Sequence, residues 1–589
     1  MELTLDQALQ KGIEAHKAGQ VQEADRYYTA ILKVSPKHPD ANHNMGLLAV
    51  GVGKVTVALP FFKKALAVNP NISQFWLSYI DALVKLAKID DAKAALDQAK
   101  SNGVKGDVFD QLEALLSSSL SKNSNTKEPS NEQLQSLINL YKQNQWQDVH
   151  TWASQLLKEF PESINLYNII GTTNKRIGKL DEALEAYKKA ISFRPDYAEA
   201  YYNMGVTLQE QGKLDEALEA YKKAVSFKPD YAEAYYNMGV ILQEQGKREE
   251  ALQAYNKVIS IKPDAFEAYN NIGNAFKDEG RLLEAIKSYK KALSIKPDYA
   301  EAYYNMGCTL QEQGNLKEAI EAYNKCLSIW PDYAEAYWNL YGTAKNINDA
   351  KKWIKKCLEV DSNHLRSQLT LCALKFYEGD KSDYNALVES SLKDHPYTRS
   401  FAWVFNLPQL PQIHFHRWAM FNHMVDLSIK DRPFYEFGVW RGEAFKYLIK
   451  TFKKGYGFDT FEGLPEDWHN EKTGTYSSDG NIPTVKGGEF IVGKFEDTLP
   501  GFFAEKRPMA SIINFDADLY SSTICALNFA KPVIDHHTIL IFDEFIINKN
   551  WEQDEYKALE EFCANNGYTY EVLAISFFTK QVAVKIIGI

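Results

Sequence analysis

The sequence predicts a multidomain chain: an all-α array of helical repeats followed by an α/β domain built on a parallel sheet. Three observations predict it. Proline recurs at Pro195, Pro229, Pro263, Pro297 and Pro331, a constant step of 34 residues. That periodicity stops near Phe401. Beyond it, short apolar runs alternate with helical stretches, which is how a sheet covered by helices on both faces is written.

The totals set bounds on the function. At about 100–200 residues per domain, the chain has room for three or four units, or for one long array plus a domain; it has 589 residues. Hydrophobic content of 45% and charged content of 24% are ordinary for a globular protein with a sizeable core. A net charge of −10 without a basic stripe argues against a nucleic-acid binder. The start, Met1-Glu2-Leu3-Thr4-Leu5-Asp6, lacks a positive segment followed by an apolar core, and no run of about 18 apolar residues follows. A cytoplasmic protein with neither cleaved signal nor membrane span is expected. Cys308, Cys326, Cys357, Cys372, Cys525 and Cys563 form no CxxC pair and read as reduced, packed thiols.

Within each 34-residue unit the text barely changes. Gly205, Gly239, Gly273 and Gly307 hold one position, Ala183, Ala217, Ala251, Ala285 and Ala319 a second, and Tyr187, Tyr221, Tyr255, Tyr289 and Tyr323 a third. This pattern resembles the tetratricopeptide repeat, two antiparallel helices per unit. Small residues belong where the helices cross closely, the aromatic fills the gap between neighbouring units, and Pro ends the second helix. Weaker copies end at Pro36 and Pro70, and a third carries Trp76 and Ala92. The expected organisation is N-terminal repeats over 1–106, a Ser/Asn/Lys-rich linker or irregular segment over 107–131, main repeats over 132–395 closed by a capping helical pair at 365–395, a connector over 396–411, and the α/β domain over 412–589.

An array of this kind offers a surface and no chemistry. Asn203, Asn237, Asn271, Asn305 and Asn339 share one phase of the inner helix, and a row of amides can pair with a peptide backbone whatever its sequence. The repeats of O-linked N-acetylglucosamine transferase look similar in this respect, which implies an extended peptide or protein partner. Local bonding inside the array is the competing reading. The Tyr201-Tyr202 and Tyr235-Tyr236 pairs read as packing between repeats.

In the last third, a helix is expected over 412–429 and a first strand over Phe434–Phe437. It runs into Gly438-Val-Trp-Arg-Gly442 and a helix over Glu443–Lys453. Glu436 can receive a cationic amine, Gly438 allows close approach of a ligand, and Gly442 starts the helix tightly. The next strand, Gly455–Asp459, ends in an acid placed to bind two ribose hydroxyls. Asp516 ends a strand over 511–515; Asp543 and Glu544 end the next, over 537–542. Adjacent parallel strands bring such tips side by side, and three carboxylates there suit a hard cation such as Mg²⁺.

Five stretches, Glu436–Gly442, Phe458–Glu466, Gly493–Pro500, Asn514–Thr523 and Ile541–Phe545, closely resemble the macrocin O-methyltransferase family over roughly 412–589. The resemblance implies a Rossmann-like class I fold that uses S-adenosylmethionine and a divalent metal to methylate a hydroxyl, most plainly of a sugar or glycan. It implies Glu436, Gly438, Gly442, Asp459, Phe461, Glu496, Asp497 and Asp516 around the cofactor, Asp516, Asp543 and Glu544 on the metal, and Asp518 as general base. Glu544-Phe545 stands where many relatives have Asp-Tyr. The polar segment 464–488, with Trp468, His469 and Tyr476, reads as a lid. Gly487-Gly-Glu-Phe490 spells the signature of diguanylate cyclases just ahead of a strand and is taken as coincidence; His536-His537 is taken as solvated.

The leading expectation is therefore an S-adenosylmethionine- and Mg-dependent O-methyltransferase whose array recruits a protein partner or substrate and which can form a homo-oligomer. A peptide or glycoprotein acceptor held in the repeat groove, or a non-catalytic scaffold, are the alternatives.

Overall fold

The computed structural model describes residues 4–86, 88–104, 108, 109, 112, 128–469, 471–478 and 480–588. The chain divides into two compact units, Met1–Pro195 and Asp196–Ile589. Most of the expected linker, 107–131, lies outside the described residues.

The first unit is made of helical pairs: Leu5–Lys17 with Val21–Val34, Pro39–Gly51 with Val55–Val68, Ser73–Lys85 with Ile89–Ser101, Asn131–Lys142 with Trp146–Glu159, and Ile164–Arg176 with Leu180–Phe193. The helix Asn131–Lys142 opens with a capping box. Ser130 Oγ accepts from the Gln133 amide at 3.2 Å while the Gln133 side chain accepts from the Ser130 amide at 3.0 Å, satisfying two orphan donors of the first turn.

The second unit begins with the near-identical pairs Ala198–Glu210 and Leu214–Phe227, Ala232–Glu244 and Arg248–Ile261, Phe266–Asp278 and Leu282–Ile295, Ala300–Glu312 and Leu316–Ile329. Their packing rule refines one sequence expectation. The repeated tyrosine is seated on the glycine of its own unit, and the Tyr221 hydroxyl accepts from Asn237 of the next unit. A Cβ at Gly205, Gly239, Gly273 or Gly307 would fall 2.5–2.7 Å from the ring of Tyr221, Tyr255, Tyr289 or Tyr323. Each of these rings is fully buried. Glycine is thus required by the ring, and the ring fills the space glycine leaves.

Two helical pairs and a single helix then depart from the repeat. Ala334–Tyr341 with Ile347–Val360 is the shortened unit, and Leu365–Tyr377 with Ser382–Val388 follows. The latter was expected to cap the stack. Leu374 packs with Trp338, Tyr341 and Cys357 of the shortened unit, while Leu369 and Ala373 join the core of the sheet. The expected connector is also structured: it carries the helix Pro396–Phe405, whose Phe401 and Val404 are buried in that same core.

The sheet has eight strands: β1 Gln412–Ile413, β2 Phe434–Phe437, β3 Gly455–Asp459, β4 Gly488–Val492, β5 Ile512–Phe515, β6 Ile539–Phe542, β7 Tyr570–Ile575 and β8 Val582–Ile586. Their order is β1-β7-β8-β6-β5-β2-β3-β4. β8 runs antiparallel to both neighbours and every other pairing is parallel. The sheet is therefore mixed, not wholly parallel. From β2 the chain steps outward through β3 and β4, then returns to place β5 and β6 on the opposite side. The crevice between the tips of β2 and β5 is the topological switch point, where open α/β sheets bind ligands.

Alternation along the strands sorts the two faces. Tyr435, Phe437, Tyr456, Phe458, Ile513, Phe515, Leu540 and Phe542 form one core with helices Phe495–Phe503, Tyr520–Ala530 and Glu555–Asn566. Phe434, Ile512, Ile539 and Ile541 form the other with helices Arg417–Leu427 and Glu443–Leu448.

Several boundaries move, three of them with structural consequence. The helix expected from 412 begins at Arg417, because 412–413 is β1 and His416 is the cap: its Nδ1 accepts from the Ala419 amide at 3.0 Å. The helix expected to reach Lys453 ends at Leu448. Gly488-Glu489-Phe490 lies within β4 and not ahead of it.

Candidate active site

The loops that leave β2, β3, β5 and β6 each contain a non-glycine residue at positive φ: Trp440 (48°), Phe461 (59°), Asp518 (58°) and Ile547 (76°). Backbone strain of this kind gathers where a site over-determines the chain. Gly438 makes the closest approach. Its φ is 86°, and a Cβ there would sit 1.9 Å from the backbone oxygen of Asp516, so the β2 and β5 tips touch only because position 438 has no side chain.

Asp459 organises the next two loops. Its Oδ2 accepts from the amides of Val439 (2.7 Å) and Trp440 (2.6 Å), and its Oδ1 from that of Phe461 (2.6 Å). Oδ1, with one such bond, keeps a lone pair free, and Asp459 lines the cavity beside it.

That cavity has a volume of about 520 Å³ and is lined by Gly438, Trp440, Asp459, Glu496, Asp516, Asp518, Asp543 and Glu544, among others. Trp468 and Tyr476 of the expected lid line it too. Its opposite wall comes from the repeats: Cys308, Gln311 and Glu312 at the end of helix Ala300–Glu312, with Tyr323 and Asn339. The Trp418 indole donates to the Gln311 carbonyl at 3.3 Å, and Phe578 packs over Gly342 beside Trp338 and Tyr341. Repeat helices and strand tips thus enclose one space.

The acids at the tips are crowded. Burial, with Asp543 next to it, pushes the Asp516 carboxyl well above the carboxylate range. Burial, with Glu544 and Asp543, pushes Asp518 up to about 8. Glu436 and Glu555 are also raised by burial, and each has one oxygen without a hydrogen-bond partner.

Cations of the chain answer this charge. Arg417 Nη2 donates to both oxygens of Asp543 at 2.8 Å, and Gln581 donates to the same carboxylate. Lys580 Nζ and Asn548 Nδ2 donate to Glu544 Oε2 at 2.8 and 2.7 Å.

The expected metal ligands do not fit a divalent ion as they stand. Both oxygens of Asp543 face the guanidinium, Glu544 turns to Lys580, and among the described residues no three His, Cys, Asp or Glu side chains converge on a common point. Asp516, Asp543 and Glu544 share a cavity but not a coordination sphere.

The expected cofactor residues divide. Gly438, Asp459, Glu496 and Asp516 face the cavity. Glu436 does not line it; it is 1% exposed beneath the β2 tip, on the same face as Asn514. Phe461 is buried and supplies a backbone amide rather than a contact surface. Gly442 starts the helix Glu443–Leu448 at φ 74° and does not border the cavity. Asp497, in the first turn of helix Phe495–Phe503, is exposed outside it.

The asparagine row is bonded within the array. Asn237, Asn271 and Asn339 donate to the hydroxyls of Tyr221, Tyr236 and Tyr304, and Asn305 donates to Asn270. Asn203 sits at the same phase and is half-buried. Only Asn339 of the row reaches the cavity.

Sequence reading missed Arg417, Lys580, Glu312 and Glu555. Arg417 follows a histidine cap and precedes the first motif, so no pattern marks it. Glu312 lies in repeat text that recurs as Glu210 and Glu244, and only its place at the sheet distinguishes it.

Comparison with known proteins defines the class of the repeats first. Residues 176–212, 208–246, 244–280 and 273–314 match a TPR repeat model, and 300–333 match the tetratricopeptide repeat. These residues are tetratricopeptide repeats, a scaffold for binding proteins and peptides. Among solved structures, MamA is 30% identical, covering 28% of this chain and 97% of its own with a TM-score of 0.27. YrrB, described as a TPR protein with an unusual peptide-binding site, is 24% identical over 32% of this chain and 96% of its own, TM-score 0.29. PilF of Pseudomonas aeruginosa is 19% identical over 37% of this chain and 97% of its own, TM-score 0.32. No curated protein matches the sequence. Among the described residues no helix is long and apolar enough to cross a membrane.

Proposed function

We propose that the α/β part is an S-adenosylmethionine-dependent O-methyltransferase acting on a hydroxyl of a sugar or glycan, with the repeats recruiting or presenting the acceptor. The observation that carries this reading is the cavity at the β2/β5 switch point, in which Gly438, Asp459 and Asp518 meet. The five motifs that resemble macrocin O-methyltransferases supply those residues.

The site suits the cofactor in size and chemistry. A space of about 520 Å³ falls within the range of small-molecule pockets. Gly438 allows close approach, Asp459 Oδ1 has a lone pair for a ribose hydroxyl, and the aromatic walls of Trp440 and Phe495 suit a base. Bound there, S-adenosylmethionine would supply an electrophilic methyl group on a positive sulfur. Asp518 removes the acceptor proton as the new O–C bond forms and the S–C bond breaks. Burial and its acidic neighbours raise it to about 8, so its deprotonated form grows as pH approaches 8 and is then a stronger proton acceptor than an ordinary carboxylate. Alignment within an enclosed space contributes the rest. No step passes through a metal, since Arg417 holds Asp543 and Lys580 holds Glu544.

Calorimetry on the whole chain tests the reading. S-adenosylmethionine is expected to bind one per chain, and Asp459→Ala to abolish binding. Absence of binding at millimolar ligand favours the scaffold alternative.

The composite wall favours a second reading, in which the acceptor is a peptide or glycoprotein lodged against the repeats. Removing the repeats does not separate the two, because Leu369, Ala373, Phe401 and Val404 belong to the sheet's own core. Glu312→Gln does: a change in methylation of a glycoprotein pool with free-sugar methylation intact supports the larger acceptor.

A further inference from the structure

Arg417 stands where the carboxylates of both walls face one another. It opens the helix Arg417–Leu427 and points into the cavity, which leaves its side chain 32% exposed. One terminal nitrogen bridges the two oxygens of Asp543 at 2.8 Å. Asp516, Glu544 and Glu312 lie near enough to raise its proton affinity, Asp543 most of all. Reciprocally, Arg417 lowers the proton affinity of Asp516, Glu436 and Glu312 against the effect of their burial. Glu312 belongs to the repeats, so the same guanidinium faces acids from both halves of the cavity wall. Asp543, Glu544 and Asp516 are the carboxylates that a metal-dependent arrangement would turn toward an ion.

We propose that Arg417 is the resident cation of this site, occupying by covalent attachment the role a divalent ion fills at a cluster of strand-tip carboxylates. A guanidinium keeps its charge over the whole accessible pH range and meets a carboxylate with donors in a fixed plane. An acceptor hydroxyl that passes its proton to Asp518 develops negative charge on oxygen, and a fixed positive group nearby stabilises it without reorganisation. Lys580, on Glu544, is the cation that acts on Asp518 itself. The catalytic part of this role rests on the methyltransferase reading; the occupation of the cation position does not.

The test is an electron paramagnetic resonance titration of the full chain with MnCl₂. The native chain is expected to leave the free Mn²⁺ signal undiminished up to about 1 mM, the weak limit of carboxylate sites. Arg417→Ala is expected to gain one bound Mn²⁺ per chain, and Asp543→Asn in that background to lose it. One Mn²⁺ bound by the native chain and released by Asp543→Asn alone overturns the proposal, as does a folded Arg417→Ala that binds none. Should Arg417→Ala not fold, the native and Asp543→Asn titrations decide by themselves. A separate failure to bind S-adenosylmethionine would defeat the methyltransferase reading and leave this assignment standing.

Discussion

The repeats from Ala198 to Ile329 and the strand tips of the sheet bury polar groups in opposite ways. In the repeats, a buried tyrosine ring lies on a glycine and its hydroxyl finds a neighbour: Tyr221, Tyr255 and Tyr323 donate to Gln209, Gln243 and Gln311, and Tyr289 to Asn274. At the tips, Glu436 and Glu555 each keep an unpartnered oxygen, Asp516 and Asp518 are held toward the neutral acid, and four loops carry positive φ outside glycine. A satisfied, repeated solution is what stability alone selects. An unsatisfied, strained one persists where the groups have a task.

Variants on the two sides are therefore expected to part company. The largest effect falls on the proposed chemistry: Asp518→Asn removes the proposed base and is expected to lower methyl transfer by about 10²–10⁴-fold, with calorimetric binding of S-adenosylmethionine retained. Equal loss of binding would place Asp518 in the cofactor site instead. Gly438→Ala drives a methyl group into the Asp516 carbonyl at a positive φ. It is expected to abolish cofactor binding and to destabilise the fold by about 1–3 kcal/mol in denaturant titration.

On the repeat side, Gly273→Ala meets the Tyr289 ring at 2.5 Å. Overpacking there is expected to cost about 1–3 kcal/mol while cofactor affinity stays unchanged. Tyr289→Phe removes one 2.8 Å hydrogen bond to Asn274 and should cost about 1 kcal/mol. A change in cofactor affinity from either variant would show that the two regions are not energetically separable.

The smallest effect is on pH dependence. Asp518 has a folded value of about 8, above the roughly 3.9 of an unfolded aspartate. Its protonated form is favoured by the fold, so this contribution to stability is complete below the unfolded value and is lost as pH rises through about 8. Asp518→Asn has no such loss. Its Tm is expected to exceed that of the native chain at pH 9 by more than it does at pH 5, and a constant gap would refute the assignment.

Sequence made the repeats legible almost residue by residue, because a 34-residue period repeats its own evidence. It placed β2, β3, β5 and β6 well, since each ends in a motif. It missed β1, a two-residue strand, and the helix Pro396–Phe405, because their partners lie far along the chain. The tip acids were visible; their counter-charges were not. Arg417 is 126 residues from Asp543 and Lys580 is 36 from Glu544, and nothing local announces either pairing. The repeat wall was hidden for the same reason: Cys308 and Glu312 are ordinary in their own helix.

Titration calorimetry of the intact chain with S-adenosylmethionine, set beside Asp459→Ala, tests the central claim most directly. The account predicts saturable one-to-one binding that the substitution eliminates. Identical heats from both proteins, or none from the native chain at millimolar ligand, would contradict it.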